Sequence, residues 1–252
     1  MQIDVWSDFA CPFCYIGKKK LEGALAKFEH GKQVKVVFRS FELDPNAAIS
    51  YEHDVHEMLS RKYGMPREKA IEMNRDLAKQ AASVGLTFNF DTLVLTNTLD
   101  GHRLTHFAAK YGKQEEMSEI LFRAYFTDSK HLGERDTLAD LAAEVGLDRQ
   151  EVLAMLESDA HTQDVRGDEE EASRLGVRGV PFFVLNRKYA ISGAQPDEVF
   201  LNAIKQAWDE AYPTLTVIND LPDAMDGAAC SDGACAPSAA KDAAKDAHSD
   251  KA

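Results

Sequence analysis

Strand-forming sequence occurs in two places in this 252-residue chain, with almost none between them. Near the start, Ile3-Asp4-Val5-Trp6 alternates as a short strand, and residues 33–41 (QVKVVFRSF) are rich in Val and Phe. Asp44-Pro45-Asn46 breaks the pattern. Strand signal returns only at residues 181–185 (PFFVL) and 188–192, joined through a tight Asn186-Arg187 connection that predicts a hairpin. The stretch between reads as helical. Pro66 opens a run in which Ala70, Met73, Leu77 and Ala81 keep helical spacing as far as Gly85, and residues 86–90 form an extended connector. Leu104, Phe107, Ala108 and Tyr111 make the next apolar stripe, followed by Met117, Ile120, Leu121, Ala124 and Tyr125. Leu138, Leu141, Ala142 and Val145 line a shorter helix ended by Gly146, and Asp148 with Glu151 starts another in the manner of a capping box. A polar helix carrying Asp168, Glu169, Glu170 and Glu171 runs to Gly176 and reads as a solvated face. After Pro196 a last helix turns Val199, Phe200, Ala203, Ile204, Ala207 and Trp208 inward until Pro213.

The order strand, helix, strand, helical block, strand, strand, helix predicts an α/β fold. It resembles a thioredoxin-like core, residues 1–43 and 177–222, carrying a large all-helical insertion at 44–176. From Asp223 the composition turns to Ala, Asp, Lys, Gly and Ser, with Met225 the one large apolar side chain, so residues 223–252 are expected to form a flexible tail.

The chemistry concentrates at Cys11-Pro12-Phe13-Cys14, between the first strand and a helix marked by Leu21, Leu25 and Phe28. Free N–H groups and the helix dipole favour an anion at that junction, so Cys11 is placed to act as a thiolate. Cys14, one turn on, shares its side, and Pro12 suits the first helical turn because its missing N–H would have had no partner there. Two other readings of the pair are half of a zinc site and an inert buried pair. Zinc usually needs four ligands, and the remaining cysteines, Cys230 and Cys235, are distant in sequence and differently spaced. An inert pair explains neither the strand-to-helix placement nor the proline between the thiols. No resident metal or cofactor is expected.

With 42 acidic against 29 basic residues and a net charge of -13, the chain is a poor match for nucleic-acid backbones or anionic membrane surfaces. It has no apolar run of the ~20 residues that a membrane span needs. The first strand begins at Gln2 without room for a leader, so a cytoplasmic location is expected, where a close cysteine pair suggests redox cycling or metal rather than a structural disulfide framework.

CPFC after the first strand, the helical insertion, Gly179-Val180-Pro181-Phe182-Phe183 and the hairpin resemble the DsbA family. Phe41-Glu42-Leu43-Asp44-Pro45 and Asn97-Thr98-Leu99-Asp100-Gly101-His102-Arg103 are similar to segments of its cytoplasmic FrnE-like branch. The likeness covers about residues 1–215. It implies a thiol-disulfide oxidoreductase, or isomerase, acting on protein or small-molecule disulfides. Cys11 would be the nucleophile, Cys14 the resolving thiol and Pro181 a cis-proline facing them. Pro12, Phe13 and Val180 would line the substrate site, the Val180 backbone pairing with a substrate strand. Composition alone would read Pro181 as an ordinary trans proline at a strand start; the element order favours the cis form. Phe13 stands where DsbA has histidine, so one group that stabilises the thiolate is missing.

The same resemblance extends to kappa-class glutathione transferases and hydroxychromene-carboxylate isomerases, which activate glutathione and carry serine at the place of Cys11. Glutathione is therefore a candidate thiol substrate, with His102 and Arg103 as candidate contacts. His102 alternatively reads as polar surface at a helix start. Asp8, three residues before Cys11, either tunes the thiol or shapes the turn. Cys230 and Cys235 form a candidate second redox pair, which a tether of ~20–25 Å would bring to Cys11; alternatively they hold a metal with Asp232 and His248. The oligomeric state is open.

Overall fold

The structure, a computed structural model, describes residues 1–214. The tail boundary at 222/223 and the Cys230/Cys235 pair lie outside the described residues. Four strands form one sheet in the order β2-β1-β3-β4: β1 is Gln2–Ser7, β2 Lys35–Ser40, β3 Phe182–Leu185 and β4 Tyr189–Ser192. β1 runs parallel to β2, with Val5 opposite Phe38, and antiparallel to β3, with Val5 opposite Phe183. A parallel pair requires a crossover, and here it is α1, Pro12–Lys27. The β3–β4 turn places Asn186 and Arg187 both at positive φ (48° and 57°), the geometry that matches a two-residue hairpin to strand twist. This is a thioredoxin-like fold of the DsbA type, with a helical insertion between β2 and β3.

Strand alternation decides which residues face which layer. Ile3 and Val5 point to one side and, with Phe38, Phe183, Leu185 and Ile191, bury against Leu21 and Ala24 of α1 and against Phe200, Ile204 and Ala207 of α9, Asp197–Ala211. Asp4 and Trp6 point to the other side. That face is covered from within the insertion by α8, Thr162–Arg174, whose Val165, Asp168 and Ala172 form its buried stripe. Trp6, fully buried, donates its indole N–H to the Asp168 carbonyl at 2.9 Å.

The solvated-face reading of α8 therefore needs correction at Asp168. Its carboxylate lies 3.2 Å from the Arg39 guanidinium and accepts the Ser40 backbone N–H at 2.9 Å. Glu169 is half-buried and accepts the Glu42 N–H. Four acids in a row hid an inward position whose charge is matched by Arg39, 129 residues away in sequence.

The insertion's remaining helices are α2 (Val55–Tyr63), α3 (Arg67–Ala82), α4 (Leu99–Ala109), α5 (Gln114–Phe126), α6 (Arg135–Glu144) and α7 (Arg149–Glu157). The helix α2 carries a short apolar stripe, Val55, Met58 and Leu59, packed on the insertion's core, and its ends are set by the Asp54 carboxylate accepting the Glu57 N–H and by Gly64 closing it at φ 62°. Met73, Tyr111 and Val199, expected to face inward, are exposed. On α3 the inner place beside Ala70 belongs to Asn74, buried because its amide meets the His56 ring at 3.0 Å.

Removing the Asp168 carboxylate would leave Arg39 half-buried with one anion fewer and the Ser40 N–H without its acceptor. We expect Asp168→Ala to cost about 3 kcal/mol of stability, read as a lowered urea midpoint. A change within about 0.5 kcal/mol would mean that this face of the sheet does not depend on the ion pair.

Candidate active site

Cys11 is the N-cap residue of α1, in extended conformation (φ -96°, ψ 110°), and Pro12 follows in the first turn. The turn into the helix is closed by backbone bonds from Cys11 N–H to the Asp8 carbonyl and from Cys14 N–H to the Cys11 carbonyl, both 3.0 Å. Both cysteines are free thiols and buried, Cys11 5 % and Cys14 2 % exposed. The Cys11 thiol reaches the Val180 carbonyl at 3.6 Å, and the Val180–Pro181 peptide bond is cis. The hairpin thus comes to the thiols through the Val180 carbonyl, which is engaged by Cys11 itself.

The two thiols differ in their surroundings. Burial, then the hydrogen bond and charge of the adjoining Cys11 sulfur, push the Cys14 thiol well above its usual range. The Asp8 backbone opposes this shift, and the Asp8 carboxylate adds to it. Cys14 packs with Phe9, Tyr15 and Ile16 in the large apolar core shared with the insertion, where the Tyr15 ring stacks on Phe122 at 5.0 Å. Phe13 is turned outward, 44 % exposed.

A cleft of about 280 Å3 opens beside the cysteines, lined by Phe13, Ile16, Lys20, Gln80, Val180, Pro181, Gly193, Ala194 and Gln195. Its walls mix apolar side chains with Gln80, Gln195 and Lys20, whose ammonium donates to the Ala194 carbonyl at 2.9 Å. A larger cleft of about 1260 Å3 runs along α1, β2 and α5, lined by mixed charges such as Lys18, Arg39, Glu115 and Glu119. Neither cleft is lined by a cysteine; the smaller one lies nearer the thiols, since Phe13 stands between the two cysteines in sequence and the Val180 carbonyl meets Cys11. Among the described residues, no group of three or more His, Cys, Asp or Glu side chains is arranged to hold a metal ion.

Other sequence candidates sit differently from expectation. His102 is buried, 2 % exposed, and not helix-start surface: its Nε2 lies 3.6 Å from the Asp8 carboxylate and its ring against Phe9 at 4.8 Å. Asp8 is equally buried and accepts the Ala10 N–H at 3.1 Å and the Leu43 N–H at 2.7 Å, so it does shape the turn. Arg103 is buried, and its guanidinium is occupied by the carbonyls of Met155, Ser158 and Ala160 and by Asp100. It anchors the end of α7 and offers nothing to a ligand in the cleft.

Two glycines matter here that sequence reading left without a role. A Cβ on Gly17 would lie 3.1 Å from both the Pro181 ring and the Phe183 ring, so the bare backbone lets α1 seat against the hairpin at the cis-proline. A Cβ on Gly101 would meet the Phe9 ring at 3.3 Å. Glycine inside a helical pattern is the signal that points to such close approaches.

The DSBA-like thioredoxin domain family matches residues 2–205. The chain belongs to this family. It is similar to a probable DsbA oxidoreductase from Streptomyces coelicolor, with 43% identity, a TM-score of 0.81, and 90% of this chain and 100% of that one covered. It is 31% identical over 209 residues to the uncharacterized protein YwbO of Bacillus subtilis, covering 81% of this chain and 96% of the other. A 2-hydroxychromene-2-carboxylate isomerase shares the fold at 16% identity and a TM-score of 0.61, covering 84% of this chain and 98% of that one. DsbA-like folds thus carry oxidoreductases and an isomerase alike, and the residues at the helix terminus must distinguish them.

The Gly17 contact is open to test. Gly17→Ala should destabilise the chain by about 1–3 kcal/mol, because both neighbours sit tighter than ordinary contact. A urea midpoint at or above that of the parent would show that the hairpin yields without penalty.

Proposed function

We propose that the protein is a thiol-disulfide oxidoreductase that exchanges disulfides through Cys11 and Cys14. The observation that carries this reading is the asymmetry of the pair. Cys11 is the N-cap of α1 and meets the Val180 carbonyl beside the cis-proline, while Cys14, one turn on, packs in the apolar core, where burial and the Cys11 sulfur push its thiol up. Attack by the Cys11 thiolate on a substrate disulfide forms a mixed disulfide and releases one substrate thiolate. Cys14 then attacks the Cys11 sulfur, the Cys11–Cys14 bond forms, and the second substrate sulfur leaves.

Protein and small-molecule disulfides are the substrate class. Pro12, Phe13, Val180 and Pro181 would receive them, and glutathione is a candidate small thiol for the cleft beside Lys20. Arg103, buried elsewhere, is not part of that site. No metal or resident cofactor is needed for this exchange. The FrnE-like branch and a cytoplasmic setting are supported by the segments at residues 41–45 and 97–103 and by the sparse, paired cysteines. Among the described residues no helix is long and apolar enough to cross a membrane.

Substitution separates the roles. Cys11→Ser should abolish reduction of a model protein disulfide, and Cys14→Ser should accumulate a mixed disulfide visible by non-reducing electrophoresis and mass spectrometry. Full glutathione-dependent isomerase activity in Cys14→Ser, with no disulfide exchange in the parent, would overturn the reading. Phe13→His adds a hydrogen-bonding group beside the thiolate and should raise the reduction potential. An unchanged or lowered value in a glutathione titration would show that residue 13 does not tune the pair.

A further inference from the structure

Behind the cysteines lies a buried cluster that the exchange chemistry leaves without a role. Asp8, His102 and Glu42 come from three separate elements: the β1–α1 turn, the first turns of α4 and the segment leaving β2. All three are at least nine-tenths buried. The Asp8 carboxylate accepts two backbone N–H groups. Burial alone would raise its pKa, but His102 and those two donors together hold it below the usual carboxylate range, so Asp8 stands as a buried anion. Such a charge needs compensation, and among the described residues His102 is the basic side chain in contact with it.

The Glu42 carboxyl is raised by burial, against the opposing pull of Arg166 of α8, which pairs with one of its oxygens, and of His102. The other oxygen, Oε1, and the His102 Nε2 are both buried without a hydrogen-bond partner. Unsatisfied polar atoms in the interior are rare, and each calls for an explanation. The remaining groups around the cluster are Glu169, paired with Arg166, and Tyr125 of α5, whose hydroxyl is raised by burial and by the Asp8 charge. Asp8 also acts on Cys14, making its ionisation harder.

We propose that His102 is a positioning residue for the resolving step: lying against Asp8, its ring as the imidazolium neutralises the Asp8 carboxylate and so allows Cys14 to ionise beside it. This rests on the dithiol reading above. In the resolving step Cys14 loses its proton and its sulfur bonds to the Cys11 sulfur. The bond from Cys11 to the substrate sulfur breaks, and the departing thiolate takes up the proton. Two electrons pass from the dithiol to the substrate. His102 touches none of the reacting atoms and acts through the charge on Asp8.

The test titrates Cys14 alone, by the 13Cβ shift of labelled cysteine in the full-length Cys11→Ser chain. Adding His102→Gln, which keeps a donor but cannot carry charge, should lower the Cys14 acid dissociation constant about ten-fold, one pH unit in the midpoint. Asp8→Asn, which removes the anion, should move the midpoint to lower pH. With Cys11 restored, His102→Gln should slow release from a preformed mixed disulfide at pH 7 by a similar factor. A Cys14 midpoint unchanged or lowered in folded His102→Gln overturns the proposal, as does an unchanged or raised midpoint in Asp8→Asn. If His102→Gln fails to fold, His102→Asn replaces it; if neither folds while Asp8→Asn does, the imidazole is structural and the proposal falls. The titration needs no turnover, so a parent chain without disulfide exchange would end the functional reading while the Cys14 shifts still judge His102.

Discussion

One buried carboxylate joins the parts of this protein that make a site possible. Asp8 follows the end of β1, accepts the backbone N–H of Ala10 in its own turn and that of Leu43 in the chain leaving β2, and lies 3.6 Å from the imidazole of His102 on α4. A charge removed from water is tolerated only where such partners surround it, so the three segments cannot separate without exposing or orphaning it. The turn that Asp8 holds is the turn that presents Cys11 at the head of α1.

The helical insertion consequently does more than decorate a small sheet. Its helix α8 covers one face of the strands, with Asp168 answering Arg39 and Ser40, while α4 and α5 pack Phe9 and Tyr15 of the cysteine-bearing stretch into their own core. Cys14 is buried in apolar surroundings because of that second contact, and the same burial pushes its thiol up. The hairpin closes the arrangement from the opposite side, the Val180 carbonyl meeting the Cys11 thiol and Gly17 leaving room for Pro181 and Phe183. Near the thiols lies a cleft of about 280 Å3, with the exposed Phe13 among its lining residues.

Much of this was legible locally. Alternation in β1 and the apolar runs of β2 and β3 marked the strands, Asn186-Arg187 marked the hairpin, and the CPFC stretch between a strand and a helical repeat marked the site. Signals of this kind depend on neighbours within a turn or two, and the backbone enforces them wherever the segment lies. The helix α2 escaped because its apolar stripe is only Val55, Met58 and Leu59 in nine residues, too short a repeat to stand out from its polar neighbours.

The chain by itself therefore determined the element order, the α/β class and the pair of thiols at a helix N-terminus. Only the tertiary structure decided which polar residues belong to the interior. Asp8, His102, Arg103 and Asp168 read in sequence as turn formers, surface or ligand contacts, and all four are buried. Their partners are Leu43, Ala160, Arg39 and each other, from 35 to 129 residues away in the exchanges that matter. A charged side chain is stable inside only when a complementary group arrives from elsewhere in the chain, and no local pattern records that arrival.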